Sequence, residues 1–106
     1  MATILLRNAL LFDGLQDEPQ DGMDVLIQGN RVAEISPTPI KATGARSLDL
    51  AGRFLMPGLI DAHFHAVLVD ANLARLGHMP RSLNTMHAAR NLEAALLRGF
   101  TSLRDA

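Results

Sequence analysis

Phe54-Leu-Met-Pro-Gly-Leu-Ile-Asp-Ala-His-Phe-His65 is the stretch from which the rest of the chain can be read. Pro57-Gly58 breaks whatever precedes it, and Leu59 to His65 then reads as a short apolar strand ending in polar side chains. Downstream, Ala66 to Arg81 predicts a loop or irregular helical segment, because Gly77 and Pro80 oppose one continuous helix. From Ser82 to Arg98 the spacing is helical, with Leu83, Met86, Ala89 or Arg90, Leu92 and Leu96 forming the expected core stripe. Ser82 is the expected N-cap, and Arg98-Gly99 supplies a basic last turn and a C′ glycine. Thr101 to Asp105 follows as a second strand. Strand, helix and strand in that order make a βαβ unit with two parallel strands.

Upstream of Pro57 the pattern is one of short strands. Thr3 to Phe12 is aliphatic and closes at the turn signal Asp13-Gly14. Leu15 to Gly22 is polar, contains Pro19 and reads as a loop. Met23 to Gln28 and Arg31 to Ile35 flank Gly29-Asn30, the spacing of a hairpin, although alternation in the second run is imperfect. Ser36-Pro-Thr-Pro39 ends the hairpin, a loop runs to about Arg46, Ser47 to Leu50 is another strand, and Ala51-Gly52-Arg53 a turn. Residues 1–55 are thus expected to form a small antiparallel β unit that must pack on something else, since few strands bury little by themselves.

Composition narrows the chemistry. The 106 residues suffice for one small domain or part of a larger one, and 48% hydrophobic content is that of a globular chain. Aromatic residues make up only 4%, so any core is aliphatic. Ten basic residues against eleven acidic ones, a formal charge of −1, offer no electrostatic case for nucleic acid or an anionic membrane. No stretch approaches the roughly 20 apolar residues of a membrane span, and the N-terminal run lacks a basic leader, so a soluble, cytoplasmic protein is expected. With no cysteine there is no disulfide framework and no thiolate site, which leaves imidazole and carboxylate as metal ligands.

His63 and His65 are the candidates. Residues two apart on a strand project from one face, so both imidazoles can reach one ion while Phe64 turns the other way. They sit at the C-terminal end of a parallel strand, the end that forms the active-site face of (β/α)8 barrels. Imidazole suits zinc, and less selectively iron, manganese, nickel or cobalt. By spacing alone the bland alternative is strong: with four histidines in the chain, a chance pair at a solvated strand end is not rare. Asp61 shares the face of His63 and could orient a ligand; a plain hydrogen bond at the barrel floor explains it equally well. His78 falls in the segment after the strand, where substrate contacts often lie, and a solvated histidine is its simpler reading. His87 reads as a surface histidine, and Arg104 and Asp105 as an ion pair or loop anchor near the mouth.

The stretch resembles the signature of the amidohydrolase superfamily: an apolar residue, Pro-Gly, two apolar residues, Asp, any residue, then His-x-His, here Met56 to His65. Leu48-Asp-Leu-Ala-Gly-Arg53, the opening strand with its Asp-Gly, and the hairpin Val25-Leu-Ile-Gln-Gly-Asn-Arg-Val32 also look like that family. So does Leu96-Leu-Arg-Gly-Phe-Thr-Ser-Leu-Arg-Asp105. The resemblance covers essentially the whole chain in the right order. It implies an α/β fold: residues 1–55 as the N-terminal strands of a small β-sandwich, then residues 56–106 as strand one, helix one and strand two of a (β/α)8 (TIM) barrel, incomplete as given. His63 and His65 match the first two metal ligands, for one or two divalent ions, zinc foremost. The family's remaining ligands, a carboxylated Lys or Glu, two more His and a catalytic Asp, have no counterpart here, so no catalytic residue is expected within the chain.

The expectation is therefore the N-terminal part of a metal-dependent hydrolase acting on a C–N bond of a small amide, cyclic amide or dipeptide. Within the family the extended loop and Arg-Asp ending are most similar to the imidazolonepropionase-like and Xaa-Pro dipeptidase-like branch. The rest of the barrel would come from a further segment or another chain, and homo-oligomerisation stays open. The rival expectation is a truncated, inactive product or interaction module that needs a partner to cover its open strand edge.

Overall fold

The computed structural model describes residues 2–106, which divide into two compact units, one up to residue 57 and the other residues 58–106.

In the first unit, β1 (Thr3–Leu11), β2 (Gln20–Gln28), β3 (Arg31–Ser36) and β4 (Arg46–Asp49) lie in the order β3-β2-β1-β4, and β5 (Phe54–Leu55) also pairs with β1. The expected antiparallel unit is corrected here. β1–β2 and β2–β3 are antiparallel, but β4 and β5 both run parallel to β1. The chain crosses from β3 to the far side of β1 through residues 37–45, and such a crossover returns a strand in the parallel sense. The two-residue β5 went unpredicted, and β2 starts at Gln20, inside the expected loop.

Bulges explain the imperfect alternation. Leu26 faces Glu34 and Ile27 faces Val32, so Ala33 is the extra residue on β3. That resets the period of two and lets Val32 and Ile35, three apart, line the same apolar groove as Leu6, Leu11, Val25 and Ile27. A second bulge lies in β1, where Leu6 faces Val25 and Ala9 faces Met23. Asn8, in the bulge, has φ 54°, and its amide donates to the buried carboxylate of Asp24 at 3.2 Å. The other oxygen of Asp24 accepts from Ile40 N at 3.1 Å, which pins the crossover over one face. Leu5, Leu26 and Ile40 form the core on that face; Leu11, Met23 and Val25, with Leu6, Ile27 and Leu55 against them, form it on the other.

In the second unit, β6 (Leu59–Phe64) and β7 (Phe100–Asp105) pair in parallel, joined by α1 (Leu73–His78) and α2 (Arg81–Leu97). This is the expected βαβ unit. α2 starts two residues earlier than a cap at Ser82 implies: Pro80 holds the N-cap position, with no side-chain cap. Gly99, φ 96°, is the expected C′ residue. α2 packs on β7, and its least exposed residues include the row Asn84, Ala88, Asn91 and Ala95, spaced by four, three and four residues, with Ala88 and Ala95 buried. The expected stripe is a correction: Leu83, Met86, Leu92 and Leu96 are all exposed, Met86 to 68%. Small alanines bring the helix close to the sheet, which places the longer apolar side chains on its flanks and far side. Among the described residues no helix is long and apolar enough to cross a membrane.

Candidate metal centre

The start of β6 is set by a close approach. A Cβ on Gly58 would fall inside the side chain of Thr101 on β7, so only glycine fits between Pro57 and the strand. Leu59 N then donates to Gly99 O at 2.8 Å, and the two strands run side by side toward their C-terminal ends.

The register changes just before the histidine pair. Asp61 faces Leu103 and Phe64 faces Asp105, three steps on β6 against two on β7. The bulge falls at Ala62-His63 and takes the His63 amide out of the regular ladder. Asp61 supplies the missing acceptor: His63 N donates to its Oδ1 at 3.0 Å. His63 ends up exposed and His65 half-buried, and Phe64 is half-buried between them.

The two imidazoles converge. Their Nε2 atoms lie 3.2 Å apart, with ring centroids 4.9 Å apart and planes at 89°. Two nitrogens held tetrahedrally at about 2.0–2.1 Å from one zinc ion are themselves about 3.3 Å apart, so the pair has the spacing of two ligands on one ion. The same distance serves a ring-to-ring hydrogen bond when one imidazole carries its proton on Nε2. No third His, Asp or Glu completes a group of three with them among the described residues.

The other predicted residues are placed unevenly. Asp105 reaches across from the end of β7, where its Oδ1 accepts from Ala66 N at 3.4 Å, while Ala106 N donates to Phe64 O at 3.0 Å. It is the loop anchor of the two alternatives; among the described residues it forms no ion pair with Arg104. His78 is the exposed last residue of α1 rather than a loop residue, and among the described residues no hydrogen bond or ion pair joins it to His63 or His65. His87 is exposed on α2, as expected. Sequence reading missed the amides of His63 and Ala66 as the groups these carboxylates hold. A bulge leaves no mark in Ile60 to His65, where apolar and polar residues alternate without a break.

No protein-family model matches the chain. Among curated proteins, the adenine deaminase of Desulfatibacillum aliphaticivorans is 45% identical over 62 residues, which is 58% of this chain and 10% of that protein. The crystal structure of an amidohydrolase superimposes on 99% of this chain with a TM-score of 0.92 and 40% identity, over 25% of its own length. A prolidase crystallised with N-methylphosphonate-L-proline superimposes with a TM-score of 0.93 and 32% identity, over 99% of this chain and 26% of its own. The chain thus spans about a tenth of the deaminase and about a quarter of the two solved structures. By sequence and by fold, it belongs to the amidohydrolase superfamily and matches the N-terminal part of its members.

Proposed function

We propose that this chain forms the N-terminal part of a metal-dependent hydrolase of C–N bonds, with His63 and His65 as two ligands of a divalent ion, zinc foremost. The observation that carries the proposal is the convergence of the two Nε2 atoms, 3.2 Å apart, at the C-terminal end of a parallel strand. A divalent ion there supplies Lewis acidity, polarising a scissile carbonyl and acidifying water. The chain's own part is to hold both imidazoles with their Nε2 lone pairs directed to one point. Asp61 and Asp105 support that arrangement; His78 is a candidate substrate contact in the segment after β6.

In this reading residues 1–55 belong to the β-sandwich and residues 56–106 open the TIM barrel. The remaining ligands, the catalytic base and the rest of the barrel come from protein beyond these 106 residues, in the same chain or another. The substrate is a small molecule with an amide, cyclic amide or dipeptide bond; the similarity to an adenine deaminase and a prolidase supports C–N chemistry as the shared class. One or two ions, a cytoplasmic location and the option of a homo-oligomer complete the proposal.

Elemental analysis of the purified chain, compared with the double variant His63→Ala/His65→Ala, tests it. Bound metal near stoichiometric amounts, lost in the double variant, is the expected result. Equal metal content in both proteins removes these histidines from the site. No metal in either supports the rival reading, an inactive piece or interaction module.

A further inference from the structure

Two carboxylates next to the histidine pair accept hydrogen bonds from backbone amides. Asp61 Oδ1 takes the amide of His63 at 3.0 Å, and Asp105 Oδ1 takes the amide of Ala66 at 3.4 Å. One comes from β6 itself and the other from the neighbouring strand, and the amides they hold stand at the two ends of His63-Phe-His-Ala66. Between them, the bulge leaves Ala62 and His63 out of the β6–β7 register, which resumes with Phe64 opposite Asp105, where β6 ends. One further tie, Ala106 N to Phe64 O at 3.0 Å, secures its middle.

We propose that Asp61 and Asp105 are positioning residues that fix the two histidines through the backbone, one carboxylate clamping each end of the segment. This rests on the proposed metal site and adds how it is held in shape. A His-x-His pair on an unbroken strand needs no such device, because the ladder sets its spacing. On a bulged strand end the peptide planes at His63 and Ala66 are free to rotate, and a rotation of either swings an imidazole away from its partner. The demand is for an acceptor oxygen at each amide, not for negative charge. Asparagine retains that oxygen, whereas alanine does not.

The test uses the full chain with Asp61→Ala, Asp61→Asn, Asp105→Ala and Asp105→Asn. Three readouts are taken: Co²⁺ affinity from visible absorption, amide hydrogen exchange at His63 and Ala66, and the ring-to-ring nuclear Overhauser contact of the two imidazoles without metal. In each alanine variant, faster exchange at the amide it faced, loss of the ring contact and a Co²⁺ affinity about 10- to 100-fold weaker are expected, the range seen when groups that orient metal ligands are removed. Each asparagine variant restores most of all three. Asparagine variants as damaged as the alanine ones overturn the clamp in favour of charge. Alanine variants that exchange faster but keep the ring contact overturn it as well, leaving only a local structural role. If the unmodified chain takes no Co²⁺, the metal reading fails separately, and the exchange and ring-contact readouts still decide the clamp.

Discussion

At the scale of single residues, Gly58 and Asp13 show two different reasons for an identity. Gly58 lacks a side chain because Thr101 occupies the space, so Gly58→Ala must displace β6 or β7. A loss of about 1–3 kcal/mol is expected from urea unfolding, the usual size of an overpacking strain. Thr101→Ala, which removes the two nearest atoms, should recover part of it in the double variant. Asp13 closes its turn by accepting from Leu15 N at 2.8 Å and Gln16 N at 3.1 Å. The bond from Leu15, then that from Gln16, holds its carboxyl below the ordinary value of 3.8. A carboxylate titrating lower when folded stabilises the fold above its unfolded value, and that contribution is lost as pH falls through the folded one. The stability difference between wild type and Asp13→Asn should therefore shrink as the pH drops below about 3.8, read from unfolding curves at a series of acidic pH values. A carboxyl resonance titrating at or above the ordinary value contradicts the assignment.

At the scale of elements, α2 is the informative case. It carries apolar side chains on more than one face: Ala88 and Ala95 against the sheet, and Leu83, Met86 and Leu97 away from it. Ala95, 1% exposed, leaves no room for growth, so Ala95→Leu should cost about 1–3 kcal/mol. Met86→Ser, on a side chain 68% exposed, should stay within about 0.5 kcal/mol in the same chain. Reversed magnitudes would mean that the other face packs on the sheet. This is where periodicity misleads: the Leu83, Met86 stripe is real as a pattern, yet a pattern cannot say which of two apolar faces a sheet will choose. By contrast Gly99 was legible, because a helix that stops before a strand needs a residue at positive φ. Nothing crowds its missing Cβ, so Gly99→Ala should cost only the backbone strain, about 1–2 kcal/mol by chemical denaturation.

At the scale of the whole molecule, each unit leaves apolar surface without cover. The two-stranded sheet of β6 and β7 exposes Leu59 and Ile60, the latter to 72%, and Leu97 on α2 is 81% exposed. The first unit has its open groove on the face of Leu11, Met23 and Val25. A two-stranded parallel sheet has two unpaired edges, and a surface of this kind favours association. Light scattering on the 106-residue chain should show apparent mass rising above 11.5 kDa as concentration increases. A monodisperse monomer at high concentration would count against that expectation and for a self-sufficient fold.

Local chemistry in the sequence by itself determined the strand that leads to His63 and His65, the helix that follows, the parallel strand after it, and the kinship carried by Pro57-Gly58 and the His-x-His pair. Each is written in a few contiguous residues, through a period of two, a period near four, or a turn that admits only certain side chains. Tertiary structure decided the rest. The parallel return of β4 and β5 depends on where a crossover pinned by Asp24 and Ile40 can land, and the bulge at Ala62-His63 on how β7 meets β6. The roles proposed for Asp61 and Asp105 rest on that bulge. Asp105 lies 39 positions from the amide it holds, and no local pattern encodes a bond whose two halves meet only when parallel strands are brought together.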